Sequence, residues 1–224
     1  MNLKRVLEPE VMDTPVEASD YNEMDHSQVN QLFVEELLAF ASANKVEIAD
    51  VLDMGTGTAL IPIALCQNHE DCRVMAIDMA VNMLDLARYN IEAESLIERI
   101  TLAKVDAKDM PYQDRMFDTV ISNSIIHHIP EPIQCVREMV RVTADGGMLF
   151  VRDLLRPGTD AEVKRIVQEY TGDENEHSQQ MFDDSLRAAL SLDEIRDIAT
   201  EFGFDAESVQ QTTDRHWTWA AIKS

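Results

Sequence analysis

The sequence predicts an α/β fold of the doubly wound type, in which a mostly parallel sheet carries helices on both faces. Three observations support this prediction. Short apolar runs alternate with amphipathic runs at helical spacing from about residue 49 to residue 153. A glycine turn, Gly55-Thr56-Gly57, joins the first apolar run to a helix-like run. Three successive apolar runs each end in an aspartate: Asp53, Asp78 and Asp106.

Length, charge and composition limit the kind of protein that this chain forms. With 224 residues, 45% of them hydrophobic, the chain is long enough for one sizeable core, so we expect a single domain. A formal net charge of −23 argues against a nucleic-acid backbone or an anionic membrane surface as partner. The three cysteines form no C-x-x-C pair, and no apolar run approaches the length of a membrane span. We therefore expect a cytoplasmic monomer or homodimer that acts on a small molecule.

Residues 1–44 are predicted to form an irregular arm followed by a cap helix. The arm contains many acids and ends near Tyr21 and His26, two candidate substrate-binding residues. Apolar side chains then recur at helical spacing up to about residue 44: Val29, Phe33, Leu37 and Phe40. This helix either covers one end of the sheet or closes over the ligand, with Tyr21 or His26 touching it.

The first strand and its glycine turn carry the strongest chemical signal. A strand that turns through glycines into a helix N-terminus brings backbone N–H groups to a nucleotide-like ligand. Asp53 lies two residues before Gly55, where it would repel a pyrophosphate and attract a cation. Leu60 stands where a dinucleotide fingerprint has its third glycine. These residues favour S-adenosylmethionine, a cation without phosphate, over a nicotinamide dinucleotide; the alternative is that Asp53 only caps its own turn.

The second and third strands end in acids that suit an adenosyl group. Asp78 lies about twenty residues beyond the glycines, where nucleotide folds place the acid that binds ribose. Its two carboxylate oxygens can accept hydrogen bonds from both ribose hydroxyls; the alternative is that it caps the following helix. Asp106 ends the run over residues 100–105, and its carboxylate could accept a hydrogen bond from an adenine amino group.

The candidate catalytic residues follow the fourth and fifth strands, which we predict at residues 117–122 and 148–152. His127 or His128 could act as a base, because histidine titrates near working pH; alternatively, one packs in the fold and the other is solvated. Arg152 could bind a substrate carboxylate as a fork, and Asp153 is a third catalytic candidate; alternatively, both pair with neighbouring residues. Because no cysteine or acid stands at ligand spacing from the histidines, the sequence predicts no metal site.

Five motifs occur in the order and spacing of a known family. They are VLDMGTGTA at 51–59, AID at 76–78, KVDAKDMPY at 104–112, FDTVISNSIIHHI at 117–129 and ADGGMLFVRD at 144–153. As a set they resemble the class I S-adenosylmethionine-dependent methyltransferases, most closely the small-molecule, methyltransferase-11-like branch. The resemblance covers residues 45–153 and implies a Rossmann-like, seven-stranded sheet whose last strand runs antiparallel. Ala59 departs from the family, which often has glycine there.

The resemblance also implies roles for individual residues. The methionine end of S-adenosylmethionine is expected at the glycine turn, the ribose at Asp78 and the adenine amino group at Asp106. The full set of expected cofactor residues is Asp53, Gly55, Thr56, Gly57, Asp78, Met79, Asp106, Ala107 and Asn123, of which Met79 and Ala107 pack on the adenine and Asn123 lies beside the methionyl portion.

Residues after the core are expected to shape the acceptor pocket and close the sheet. Residues 154–190 are predicted to form a helical insertion, with helices at about 159–170 and 181–189 and Tyr170 as a substrate-binding candidate. Residues 191–224 are predicted to form a helix that opens with the capping box Ser191-x-x-Glu194, followed by two strands.

The expected function is transfer of a methyl group from S-adenosylmethionine to an oxygen, nitrogen or carbon of a small molecule by in-line displacement. The alternative is a protein that keeps the cofactor pocket without transferase activity and serves as a partner or regulatory subunit. The sequence does not identify the acceptor.

Overall fold

A computed structural model of the chain describes residues 3–9, 13–14, 18, 22 and 27–224, so Tyr21 and His26 lie outside the described residues. The strands within this part are β1 (Asp50–Met54), β2 (Arg73–Asp78), β3 (Ile100–Lys104), β4 (Phe117–Asn123), β5 (Thr143–Leu154), β6 (Val209–Gln211) and β7 (His216–Ile222). They form one sheet in the order β3-β2-β1-β4-β5-β7-β6. The pairs among β1 to β5 are parallel, and β7 runs antiparallel to both β5 and β6. The predicted seven-stranded sheet with an antiparallel last strand is therefore confirmed.

Seven α-helices connect and extend these strands in the described part of the chain. They are α1 (Ser27–Asn44), α2 (Leu60–Asn68), α3 (Val81–Ala93), α4 (Pro132–Val142), α5 (Asp160–Thr171), α6 (Glu176–Ala188) and α7 (Leu192–Glu201). The predicted cap helix corresponds to α1, and the predicted helical insertion after the fifth strand corresponds to α5 and α6. Ser191 and Glu194 form the predicted capping box at the start of α7.

Two hydrophobic clusters lie on opposite faces of the sheet. Phe33 of α1, Ile63 of α2 and Ala87 of α3 belong to one cluster. Met139 of α4 and Ile195 of α7 belong to the other cluster, together with the fully buried Trp217 and Trp219. Because both faces are covered, the ligand-accessible part of the parallel strands is their carboxyl edge.

Two element boundaries, the starts of β5 and α6, differ from the prediction for identifiable reasons. β5 begins at Thr143 instead of residue 148, because Thr143 pairs with Phe117 and the register then shifts around Gly146, which has φ 78°. α6 begins at Glu176, inside the expected polar loop, because the side chain of Asn175 accepts a hydrogen bond from the Ser178 N–H. α2 begins at Leu60, because Ala59 has φ 62°, in the left-handed region where glycine is favoured.

Across the described ranges, every helix is too short or too polar to cross a bilayer. The three cysteines are buried and free of disulfides.

Candidate functional site

A cavity of about 530 Å³ opens at the carboxyl edge of the sheet. A smaller pocket of about 20 Å³ lies at the glycine turn and shares Gly55 and Asn123 with the cavity. Asp53 and Thr56 border the smaller pocket. The other predicted residues that line the cavity are Gly57, Asp78, Met79, Asp106, Ala107, His127, His128 and Tyr170. All nine residues predicted to hold the cofactor thus border one of these two pockets.

The glycine turn sits at the centre of the carboxyl edge, because β1 pairs with β2 on one side and β4 on the other. The N–H groups of Gly55 and Thr56 both donate to the Ile77 carbonyl, each at 2.9 Å. Gly55 has φ 72°, and a Cβ at this residue would lie 2.7 Å from Cγ2 of Ile125. The turn therefore requires glycine at residue 55 for both its conformation and its close packing.

Asp78 fastens this turn to the next helix. Its Oδ2 accepts from the Gly57 N–H at 2.8 Å, and its Oδ1 accepts from the Ala80 N–H at 2.8 Å. Burial raises the pKa of Asp78, and the hydrogen bonds from Ala80 and Gly57 act in the opposite direction. Each carboxylate oxygen has a further lone pair for a ligand hydroxyl.

Asp53 is a buried carboxylate at the small pocket, with 2% of its surface exposed. Burial raises its pKa to about 7, the Thr56 hydroxyl opposes this shift, and the charge of Asp78 adds to it. The Thr58 hydroxyl at the same pocket is buried and has no hydrogen-bond partner among the described residues. An acid that titrates near neutral pH beside an unpartnered hydroxyl suits a ligand that carries an ammonium group and polar oxygens.

Asp106 lines the cavity after the end of β3 and is paired with a lysine. Its Oδ1 accepts from the Lys108 N–H at 2.9 Å and lies 3.0 Å from the Lys108 ammonium. Burial would raise the pKa of Asp106, but the hydrogen bonds and charge of Lys108 lower it overall. Asp106 therefore stays ionised and can accept a hydrogen bond from a ligand amino group.

His127 and His128 lie in a short 3-10 turn after β4 that Asp153 holds in place. Asp153 Oδ2 accepts from the Ile126 N–H at 2.5 Å, and Oδ1 lies 2.5 Å from His127 Nδ1 and 2.6 Å from the Leu154 N. Since a carboxylate accepts, His127 donates through Nδ1. Burial lowers the pKa of His127, but the charge and hydrogen bond of Asp153 outweigh burial and raise it. Asp153 therefore fixes the orientation of His127.

A segment of the N-terminal arm completes the surroundings of the histidine pair. Glu8 Oε1 lies 3.1 Å from His128 Nδ1 and 3.7 Å from His127 Nε2, and Glu8 Oε2 accepts from the Ser185 hydroxyl. Burial and the charge of His127 lower the pKa of His128, although Glu8 acts in the opposite direction. Glu8 was not among the predicted site residues, because residues 3–9 show neither periodicity nor a motif.

Arg152 is not brought to the cavity, although its neighbour Asp153 contacts the histidine pair. The Arg152 guanidinium donates to the Thr218 hydroxyl at 2.9 Å and pairs with Glu36 of α1. It also lies 5.6 Å from the ring centre of Phe33. This placement favours the alternative that Arg152 pairs with neighbouring residues instead of binding a substrate carboxylate.

Tyr170 lines the cavity together with residues from the loop before β7. Its hydroxyl donates to Asp214 Oδ1 at 2.9 Å, and the Arg215 guanidinium lies 3.3 Å from its ring centre. Arg215 and His216 also line the cavity. Burial and the charge of Arg215 lower the pKa of His216 to about 4, so this ring is neutral at working pH.

Part of the cavity wall was missing from the predicted site. One side of α6 faces the cavity, and three of its residues there follow helical spacing: Ser178, Met181 and Ser185. Asn30 of α1 borders both pockets. Helical spacing could have identified the α6 residues, whereas Asn30 had no local signal.

Comparison with known proteins supports a methyltransferase domain. Residues 52–151 match the family model Methyltransf_11, described as a methyltransferase domain. Methyltransferase GfsG of Streptomyces halstedii is 33% identical over 119 residues, which are 53% of this chain and 42% of that protein. Malonyl-[acyl-carrier protein] O-methyltransferase of Geobacter sulfurreducens is 29% identical over 202 residues, 88% of this chain and 72% of that protein.

The fold is likewise shared with solved structures. A SAM-dependent methyltransferase from Aquifex aeolicus superposes with a TM-score of 0.67 at 18% identity, covering 94% of this chain and 98% of that chain. The present chain spans less than half of the length of the Streptomyces relative and about three quarters of the Geobacter relative.

Proposed function

We propose that the protein transfers a methyl group from S-adenosylmethionine to a small-molecule acceptor, a proposal supported by the match of residues 52–151 to a methyltransferase domain and by the shared fold. The observation that carries this proposal is that Asp53, Asp78, Asp106 and the glycine turn border two pockets that share Gly55 and Asn123. The cavity volume of about 530 Å³ lies within the range of about 300–1,000 Å³ that is typical of ligand pockets.

The three acids and the turn would bind the cofactor along the carboxyl edge. Asp53 and the unpartnered Thr58 hydroxyl suit the amino-acid end of the cofactor, with Gly55, Thr56, Gly57 and Asn123 beside it. Asp78 would accept from the ribose hydroxyls, and Asp106 from the adenine amino group. Met79 and Ala107 line the cavity between these two acids, where they would pack on the adenine ring.

The acceptor would occupy the part of the cavity between the histidine pair and the helical insertion. When bound, S-adenosylmethionine supplies an electrophilic methyl group that an acceptor lone pair can attack in line. Leu154, Met181 and Phe182 provide an apolar wall that excludes water, and Tyr170 and Arg215 add polar groups. This lining suits a small organic molecule with an apolar body.

The predicted catalytic residues divide into two roles in this proposal. His127 and His128 line the cavity and would contact the acceptor, whereas Asp153 is a positioning residue that acts through His127. To act as a free base, Asp153 would have to give up the hydrogen bonds that it accepts from three backbone N–H groups and one imidazole. The cytoplasmic location and the monomeric or homodimeric state stay predictions.

The proposal is tested by incubating the protein with S-adenosylmethionine and a pool of small metabolites. We expect S-adenosylhomocysteine to form together with a product that is heavier by one methyl group. Cofactor binding without S-adenosylhomocysteine production across wide pools would instead support a binding protein or regulatory subunit. Calorimetric titration with S-adenosylhomocysteine shows whether the cofactor site is present in a protein that forms no product.

Cofactor affinity is expected to depend on pH through Asp53. The carboxylate form of Asp53 favours a ligand ammonium, and its pKa is about 7 in the free protein, so binding releases a proton below that pH. The affinity for S-adenosylhomocysteine should therefore fall as pH drops below 7, by up to about tenfold per pH unit. Calorimetric titration across this range measures the slope. The variant Asp53→Asn should bind S-adenosylhomocysteine weakly, with an affinity that no longer changes with pH below 7. The control Asp71→Asn changes an exposed residue and should keep the pH dependence of the wild type.

A further inference from the structure

We propose that Glu8, His127 and His128 form a binding site for a divalent transition-metal ion of the zinc type on the wall of the cavity. The three ligand atoms are Glu8 Oε1, His127 Nε2 and His128 Nδ1, and all lie within 4.8 Å of one another. Along the chain, no cysteine or acid stands at ligand spacing from the two histidines, which is why the sequence predicts no metal site. The fold supplies the missing acid from the N-terminal segment.

Both distances from Glu8 Oε1 to the histidine nitrogens are close to those between ligands that share one ion. Zinc bonds of about 2.0–2.1 Å in tetrahedral geometry separate two ligand atoms by about 3.3 Å. Glu8 Oε1 lies 3.1 Å from His128 Nδ1 and 3.7 Å from His127 Nε2, so the two separations lie on either side of this value. The longer separation exceeds the usual N–H···O range of about 2.7–3.2 Å, so a hydrogen bond does not explain it.

Two of the three ligand atoms are also buried without a partner. Glu8 Oε1 and His128 Nδ1 have no hydrogen bond of acceptable geometry among the described residues, although they lie 3.1 Å apart. Side-chain exposure is 10% for Glu8, 17% for His128 and 4% for His127. Because buried polar atoms normally form hydrogen bonds, two such atoms that lie close together and form none indicate a ligand that both contact.

The groups around the site orient the ligands as second-sphere residues do in metal proteins. Asp153 accepts from Nδ1 of His127, which leaves the Nε2 lone pair directed away from Asp153 for a metal. Ser185 donates to the other oxygen of Glu8 at 3.1 Å. A carboxylate–histidine pair of this kind fixes the tautomer and makes the coordinating nitrogen more basic.

The N-terminal segment is anchored so that Glu8 reaches the histidines. The Arg5 guanidinium donates to the carbonyls of His127, Ile129, Pro130 and Ala188 at 2.6–3.1 Å. The Val6 N–H donates to the Arg187 carbonyl at 3.1 Å. These bonds tie residues 3–9 to both the histidine turn and α6, so the carboxylate is held in place before a metal binds.

The donor set selects the class of ion. Two imidazoles and one carboxylate suit Zn²⁺ and its first-row neighbours, whereas Mg²⁺ and Ca²⁺ prefer oxygen ligands. Three protein ligands leave an open position, as in catalytic zinc sites. Because His127 and His128 line the cavity, this position would face the acceptor. The ion would then hold an acceptor oxygen or nitrogen, a role that rests on the proposed function, whereas metal binding itself does not.

Metal binding can be measured on the whole chain without any acceptor. We expect the metal-free protein to bind one equivalent of Co²⁺ and of Zn²⁺, with a cobalt spectrum that lacks a thiolate charge-transfer band. Zn²⁺ should also raise the melting temperature of the wild type. Glu8→Gln and His128→Asn should each weaken binding by about 100-fold or more, exceeding the typical loss for a second-sphere residue.

Matched controls are available on the surface. Glu47→Gln and His177→Asn change exposed residues of the same types and should leave both metal affinity and the melting shift unchanged. Absence of binding by the folded wild type would refute the site. Binding that persists in Glu8→Gln, or that shows thiolate ligation, would likewise refute it. If a variant unfolds, the wild-type cobalt spectrum and zinc-induced melting shift still decide the question. Metal binding without methyl transfer would contradict the proposed function alone.

Discussion

Replacing Asp78 with alanine is expected to weaken binding of S-adenosylhomocysteine by about 100-fold or more, equivalent to about 2.7 kcal/mol. In the proposed complex this carboxylate accepts from the ribose hydroxyls, and hydrogen bonds to charged groups contribute about 1.5–3 kcal/mol. The substitution also leaves the Gly57 and Ala80 N–H groups without their acceptors, which loosens the turn beneath the cofactor. Asp78→Asn keeps one acceptor oxygen and should show an intermediate loss.

Calorimetry with the purified variants measures this effect directly. Asp85→Ala is a suitable control, because the Asp85 side chain is 63% exposed on α3 and its 3.1 Å ion pair with Arg88 lies at the surface. It should retain wild-type affinity. An affinity of Asp78→Ala within a few-fold of wild type, with an unchanged circular dichroism spectrum, would show that the ribose lies elsewhere.

The second large effect concerns stability. Asp153→Ala is expected to lower the free energy of unfolding by about 3–5 kcal/mol, the range for breaking a buried charged pair. The carboxylate is almost fully buried and accepts from three backbone N–H groups, of Ile126, His127 and Leu154, as well as from the His127 ring, so its removal takes an acceptor from four buried donors. Asp153→Asn retains a carbonyl acceptor and should be less destabilising.

Urea denaturation of the metal-free protein at neutral pH measures this loss as a shift in midpoint at constant slope. Asp145→Ala provides the control, because Asp145 is 51% exposed and its 3.0 Å ion pair with Arg115 lies at the surface. A surface pair of this kind contributes at most about 1 kcal/mol. If the two variants were equally stable, Asp153 would not hold the histidine turn.

The sequence predicted those parts of the site that depend on local order. Asp53, Asp78 and Asp106 each lie at or just beyond the carboxyl end of a strand, and the carboxyl ends of parallel strands meet at one edge of the sheet. The capping box at Ser191 was likewise predictable, because its two hydrogen bonds join residues three positions apart. The seven-stranded arrangement came from the resemblance of the whole motif set.

The remaining parts depend on contacts that local sequence does not encode. Glu8 reaches the histidines across more than a hundred residues, through a segment without periodicity. Arg152 and Asp153 were both expected at the carboxyl edge, yet neighbours on a strand point to opposite faces. Asp153 consequently meets His127, and Arg152 meets Glu36 of α1. Which of the two side chains points to which face of the sheet depends on the packing of α1, which the local sequence of β5 does not encode.

The anchoring of residues 3–9 has a practical consequence for work on this protein. Arg5 and Glu8 contact the turn that carries His127 and His128, and both histidines line the cavity. Removal of the first nine residues would therefore disturb the cavity wall. Affinity handles are better fused after the exposed Ser224. Ligand affinities measured on shortened versions would then reflect a disturbed cavity wall as much as the properties of the intact chain.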